Sequence, residues 1–244
     1  MSSGRLETVE FRFVGIDGTS WTTSLDKVDG AEVVRGGPVR SLPTYRCQRN
    51  YPGLLWTATT ESLVGYESLL ERDRLWLGDF DPGVRWIASQ PFWVSGGDGN
   101  AIRRHVPDFL LESLDGTFTV VDVKPGALAN EPAVAEVLAW TGRLCAAKGW
   151  RYEVWSGDDP VRLRNVRYLA AGRRVSFVDP VALVKVAAAA RPGMTLAQIE
   201  SVADLDRAAA RSAALSLLWF GQWTTDLSRP LSCDSVISST EAAA

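Results

Sequence analysis

Residues 117–155 constrain the fold more than any other stretch of the chain. "TFTVVDVK" (117–124) is rich in β-branched residues and reads as a strand. "NEPAVAEVLAWTGRLCAAKG" (130–149) reads as a helix, with Pro132 in its first turn and Gly149 as its stop. "WRYEVWSG" (150–157) is a further strand. A strand reached through a helical crossover is expected to lie parallel to the strand it joins. The upstream stretches add to this frame. The spacing predicts a helix within "TTESLVGYESLLERDRLWLGDFDP" (59–82), capped by Thr59 or Thr60 and closed by Gly78 and Pro82. "VRWIASQPFWV" (84–94) reads as a strand with Pro91 near its end, followed by a Gly-rich loop, "SGGDGN". A hairpin follows, with strands over 103–112 and 117–124 joined by "LDG" at 114–116. The order helix, three strands, helix, strand defines a layered α/β core.

Outside that core the signals change. "ETVEFRFVG" (7–15) and the Gly/Pro-punctuated stretch to Gly53 read as a small antiparallel decoration with loops. Residues 158–180 read as an arginine-rich connector with one short strand, "RRVSFVD". Beyond Pro180, three short helical patterns precede "QWTTDL", a candidate β-wing, which points to a winged helix. The resulting division is an N-terminal extension (1–60), the core (61–157), the connector (158–180) and a winged-helix-like domain with a fraying tail (181–244).

Composition excludes several function classes. The 244 residues are 46% hydrophobic and 23% charged with a net charge of −3, an ordinary globular balance. Three well-separated cysteines, Cys47, Cys145 and Cys233, and the lone His105 argue against a disulfide framework and against a Cys or multi-His metal site. The amino terminus lacks a signal-peptide pattern and no apolar run is long enough to span a bilayer, so a cytoplasmic protein, near the nucleoid when acting, is expected. Arginines cluster at Arg35, Arg40, Arg46 and Arg49 and again at Arg162, Arg164, Arg167, Arg173 and Arg174. Local basic patches hold phosphate even on an acidic protein, although either cluster is equally what a solvated surface of an arginine-heavy chain looks like.

The chemistry-bearing residues sit in the core. On a strand, Asp122 and Lys124 share one face while Val121 and Val123 share the other. The hairpin sets Asp108 beside Asp122, both expected to face the helix that carries Glu71. Three converging carboxylates repel one another unless a cation lies between them. Oxygen ligands of this type suit Mg²⁺ or Mn²⁺, with the backbone carbonyl of Val123 as an additional ligand. Lys124 beside the ion is placed to orient the attacking water and to neutralise charge developing on phosphorus. That set fits metal-assisted phosphodiester hydrolysis. Taken alone, Asp-x-Lys on a strand is also what a solvent-facing pair looks like. Glu67, on the face of Glu71, and Glu136, in the following helix, are candidates for carboxylates supporting the ion, or plain surface residues. Gln90 and Pro91 are read as shaping the strand beside the site, and the tryptophans as packing residues. His105 is three residues from Asp108, on the opposite face of a regular strand, and is left out of the site.

"GYESLLERDRLWLGDFDPGVRWIASQPFWV", "RRHVPDFLLESLDGTFTVVDVKPG" and "GWRYEVWSG" together resemble the TnsA-like endonuclease subunit of heteromeric transposases, within the PD-(D/E)xK nuclease superfamily. The similarity extends over roughly 40–240, including "YRCQRNYPGLLWTATTE" and "LLWFGQWTTDLSRPLS". It implies a restriction-endonuclease-like αβββαβ core with a C-terminal winged helix. It also implies Glu71, Asp108, Asp122 and Lys124 as catalytic residues, and Mg²⁺ or Mn²⁺ as cofactor. The implied substrate is double-stranded DNA at transposon 5′ ends. A DDE-type transposase and an AAA+ ATPase regulator are the implied partners. Arg46, Arg49, Arg103 and Arg104 are candidate DNA contacts. A free-standing restriction or repair nuclease and a non-catalytic DNA-binding module stay open beside this reading.

Overall fold

The computed structural model describes residues 9–41, 51–202 and 204–239. The chain divides into two compact units, Met1–Gly157 and Asp158–Ala244. In the first unit the elements run β1 (Glu10–Val14), β2 (Ser20–Ser24), α1 (Gly30–Val34), β3 (Gly53–Thr57), β4 (Ser62–Tyr66) and α2 (Leu69–Phe80). They continue with β5 (Val84–Ser89), β6 (Phe92–Asp98), β7 (Ala101–His105), β8 (Phe109–Ser113), β9 (Phe118–Val123), α3 (Gly126–Ala129), α4 (Pro132–Lys148) and β10 (Arg151–Trp155).

Two four-stranded sheets carry this unit, in the orders β10-β9-β8-β5 and β2-β1-β6-β7. In the first, β5, β8 and β9 are antiparallel, and β10 runs parallel to β9 after the α4 crossover, as the sequence pattern predicts. Both faces of that sheet are covered. Phe109, Leu111, Val121, Val123 and Ile87 pack with Leu75 of α2 and with Leu55 and Val64 of the β3–β4 hairpin. Leu110, Val120 and Ala88 pack the other way, onto Trp140 and Leu144 of α4 and onto Phe11, Phe92 and Val94 of the second sheet. The alternation of Val120 against Val121 decides which face each polar neighbour takes.

Several local expectations are corrected. Residues 59–66 are not helical: Thr57 and Thr60 hydroxyls bond each other at 2.6 Å in the turn between β3 and β4, and Thr59 N–H donates to Asp79 at 2.8 Å. The helix begins at Leu69, capped by Ser68, whose hydroxyl accepts from Glu71 N–H at 3.1 Å. The strand expected over 84–94 breaks at Gln90, which takes φ 46°, so that β5 and β6 enter different sheets. The strand expected over 103–112 breaks at Val106–Asp108 in the same way, into β7 and β8. "SGGDGN" is not a free loop but the β6–β7 hairpin, turned at Gly99 with φ 61°. The αβββαβ order therefore holds for α2, β5, β8, β9, α4 and β10, with β6–β7 inserted and joined to the N-terminal strands.

The second unit holds α5 (Pro160–Leu169), α6 (Pro180–Ala189), α7 (Leu196–Glu200), α8 (Arg207–Trp219) and the antiparallel pair β11 (Trp223–Thr225) and β12 (Ile237–Ser239). The segment read as a connector carries α5, capped by Asp159, and "VSF" at 175–177 is a 3₁₀ turn rather than a strand. Among the described residues no helix is long and apolar enough to cross a membrane.

Candidate active site

A cleft of about 620 Å³ opens where the amino terminus of α2, the start of β8 and the end of β9 meet. Glu71, Asp108, Val123 and Lys124 line it, together with Glu67, Arg40, Arg104 and His105. Glu71 is placed by its helix. One carboxylate oxygen accepts from Glu67 N–H at 2.7 Å and the other from the Ser68 hydroxyl at 2.9 Å, so the acid also closes the first turn, near the positive end of the helix dipole. Despite those donors its pKa is raised to about 7, first by burial and then by the charge of Asp108.

Asp108 precedes β8, and its side chain folds over the end of β9. Oδ2 accepts from Val123 N–H at 2.6 Å and from Lys124 Nζ at 2.9 Å. Burial pushes its pKa upward, and the charge of Asp122 adds to that push against the pull of Lys124 and Val123 N–H. Lys124 also donates to the Val123 carbonyl at 3.1 Å. Burial disfavours its ammonium, but the charges of Asp108, Asp122 and Glu71 outweigh that and raise its pKa, so it stays a cation.

Asp122 is the site residue that the structure does not bring into the cleft. It is fully buried, at 0% exposure, on the α4 side of the sheet. The alternation that sends Val121 and Val123 toward α2 sends Asp122 away from it. There it meets His105 Nε2 at 2.7 and 2.9 Å and accepts from the Tyr152 hydroxyl at 2.5 Å. Burial, then the charge of Asp122, raises the Tyr152 pKa far above its ordinary value, and the same two causes push the Cys145 thiol up to about 12. His105 reaches Asp122 from β7, a strand of the other sheet. The sequence signal for this contact was the single histidine; the sheet-to-sheet step that delivers it has no local signature.

The remaining candidates separate cleanly. Glu67 lines the cleft and accepts from Gln90 Nε2 at 2.7 Å and from Arg40 at 2.9 Å. Gln90 thus ties the bend between β5 and β6 to the cleft wall, and its backbone N–H donates to the Asp108 carbonyl at 2.9 Å. Glu136 is a surface residue paired with Arg103 at 2.7 Å, and Arg103 also holds Asp98 at 2.9 Å, which leaves Arg104 as the cleft-facing member of that pair of arginines. Arg46 and Arg49 lie outside the described residues.

Among the described residues, no three His, Cys, Asp or Glu side chains are grouped to hold a metal ion. The donors that do meet are two carboxylates, Glu71 and Asp108, and the Val123 carbonyl. This hard-oxygen set fits Mg²⁺, which retains several waters and is held by one or two carboxylates plus substrate phosphate. Asp108 is already paired with the Lys124 ammonium, while the Glu71 carboxylate has only the Glu67 N–H and the Ser68 hydroxyl as donors. No family model matches the chain, and no curated protein matches it.

Proposed function

We propose that the chain is a metal-dependent DNA endonuclease that hydrolyses phosphodiesters at the Glu71–Asp108–Lys124 cleft. One observation carries the reading: two buried acids, Glu71 and Asp108, line one open cleft beside a lysine held at 2.9 Å from Asp108, with burial and then the charge of Asp108 raising the pKa of Glu71. Glu71, Asp108 and the Val123 carbonyl are the groups that would hold Mg²⁺ or Mn²⁺, with Glu67 behind Glu71. When bound, the ion supplies Lewis acidity for the scissile phosphate and lowers the pKa of a water. Lys124 keeps its ammonium in the cleft, where it offsets negative charge that grows on the phosphate oxygens. Asp108 holds that ammonium in place, and Asp122 acts through its contact with His105 rather than in the cleft itself.

The arrangement α2, β5, β8, β9, α4, β10 supports a restriction-endonuclease-like core. The helices of the second unit with the β11–β12 pair support a winged helix. With the sequence resemblance, these favour a TnsA-like subunit that cuts at transposon 5′ ends beside a DDE-type transposase and an AAA+ ATPase. A second reading, a DNA-binding module without catalysis, draws on the burial of Asp122 against His105 and Tyr152.

The test is cleavage of supercoiled plasmid by the purified chain, alone and with a transposase partner, in Mg²⁺ and in chelator. Metal-dependent nicking that drops roughly 10²–10³-fold in Lys124→Ala is the expected result, the size of losing one preorganised charge-stabilising donor. Equal nicking by wild type and Lys124→Ala overturns the site. Duplex binding without nicking under every condition favours the non-catalytic reading.

A further inference from the structure

The cleft does not end at the carboxylates. A second hollow of about 450 Å³ shares Arg40, Trp93 and Val106 with it and extends to Arg12 and Ser20. Strand register explains why basic residues line this path. Arg12 of β1 lies opposite Trp93 of β6, and Ser95, two residues on, lies opposite Arg104 of β7. Residues opposite each other, or two apart, share a face, so Arg12, Trp93 and Arg104 stand on one side of the sheet. Their neighbours Phe11, Phe13 and Val94 are buried on the other side. The Arg12 guanidinium carbon lies over the Trp93 ring, 4.1 Å from its centroid, a cation–π contact that holds the charge at the rim.

Opposing charge along this path is limited. Glu10 contacts Arg12 at 3.2 Å with both side chains about half exposed, and Glu67 holds Arg40 at 2.9 Å. The exposed Glu10–Arg12 pair is weak and exchanges readily for a phosphate, whereas Arg40 is tied to the more buried Glu67 of the cleft wall. Arg104 has no ion pair with a described residue. Arg12 and Arg104 are two strand spacings apart sideways and two residues apart along the strand, about 12 Å.

Resting on the endonuclease reading, we infer that this outer sheet face, Arg12–Trp93–Arg104, with Arg40 of the adjoining loop beside it, is the track for the phosphates of the cut strand on one side of the scissile bond. Arginine is suited to the task because its planar fork matches phosphate bidentately. The track reads backbone and not base edges, so it confers affinity and direction without sequence choice.

The experiment is fluorescence anisotropy of a labelled duplex with the full chain in chelator, over a range of salt concentrations. Wild type is compared with Arg12→Ala, Arg104→Ala, the double variant, Arg12→Lys/Arg104→Lys, and Arg151→Ala as an exposed arginine away from the path. Each lost phosphate contact lowers the salt slope by about 0.9. The double alanine variant is therefore expected to lose about 1.8 of slope, while the lysine pair and Arg151→Ala retain it. An unchanged slope in the double variant, a loss of equal size in Arg151→Ala, or no duplex binding by wild type overturns the track. Plasmid nicking by the same preparations is scored separately. Failure to nick with the slope pattern intact overturns the nuclease reading alone.

Discussion

Lys124 Nζ lies 2.9 Å from Asp108 Oδ2, although the two residues come from different strands and neither lies within its strand's regular span. The contact forms because Asp108 sits in the break between β7 and β8 and Lys124 just past the end of β9, where side chains are released from strict alternation. Asp108 is 6% exposed and Lys124 24%. Removing one partner of such a pair strands the other. Lys124→Met is expected to cost about 2–3 kcal/mol, below the 3–5 of a fully buried pair because Lys124 reaches solvent. A cycle with Asp108→Asn, read by urea denaturation, is expected to show coupling of about 1–3 kcal/mol. Strict additivity contradicts the pairing.

Glu71 sets the pH dependence of stability. Its pKa rises from 4.5 to about 7 on folding, so the folded state binds more protons than the unfolded state between those values. Stability contributed by this group is full below about pH 4.5 and is lost as pH rises toward 7 and beyond. The loss amounts to roughly 3 kcal/mol, from 1.36 kcal/mol per pKa unit. Denaturation of wild type and Glu71→Gln at pH 4.5 and pH 8.5 checks this. The wild type is expected to lose stability relative to Glu71→Gln on raising the pH; parallel curves contradict the shift.

How much of this was legible beforehand follows the range of each interaction. The βαβ crossover, the parallel β9–β10 pair and the three acid and lysine positions of the cleft came from short, regular patterns. The Ser68-x-x-Glu71 spacing is itself a helix-start signature. Thr59 and Thr60, nine and eight residues earlier, are N-cap residue types without an acid three residues on, and nothing local shows that 53–66 pairs with itself. The exchange of strands between sheets turned on Gln90 at φ 46° and on Val106–Asp108. Those breaks send β6 and β7 into the second sheet, from which His105 of β7 reaches Asp122. Strand alternation fixes only that Asp122 opposes Val121 and Val123, not which side α2 covers, so the sequence alone does not separate Asp122 from the cleft.

Tyr152 and His105 are the anchors of Asp122, whose carboxylate has 0% exposure. Tyr152→Phe removes the 2.5 Å donor and leaves the carboxylate short of one partner. A hydrogen bond to a charged group contributes about 1.5–3 kcal/mol, and that is the expected loss by urea denaturation. A change below about 0.5 kcal/mol, the scale of an ordinary surface substitution, contradicts the anchoring.

Gln90 joins the cleft wall to the β5–β6 bend. Gln90→Ala keeps a residue with a Cβ at positive φ and removes the donor to Glu67 at 2.7 Å. It is expected to destabilise by about 1.5–3 kcal/mol, the worth of a hydrogen bond to a charged acceptor. Gln90→Gly, which relieves the left-handed backbone by about 1–2 kcal/mol, is expected to cost less than Gln90→Ala. The reverse order, read by thermal denaturation, contradicts the strain at this bend.

The central claim is that Glu71 and Asp108 form a divalent-cation site, and calorimetric titration of Mn²⁺ into the full chain tests it most directly. A saturable binding heat is expected in wild type, lost in Asp108→Asn and strengthened when a short duplex is present. No binding by wild type with or without duplex, or an unchanged isotherm in Asp108→Asn, contradicts it.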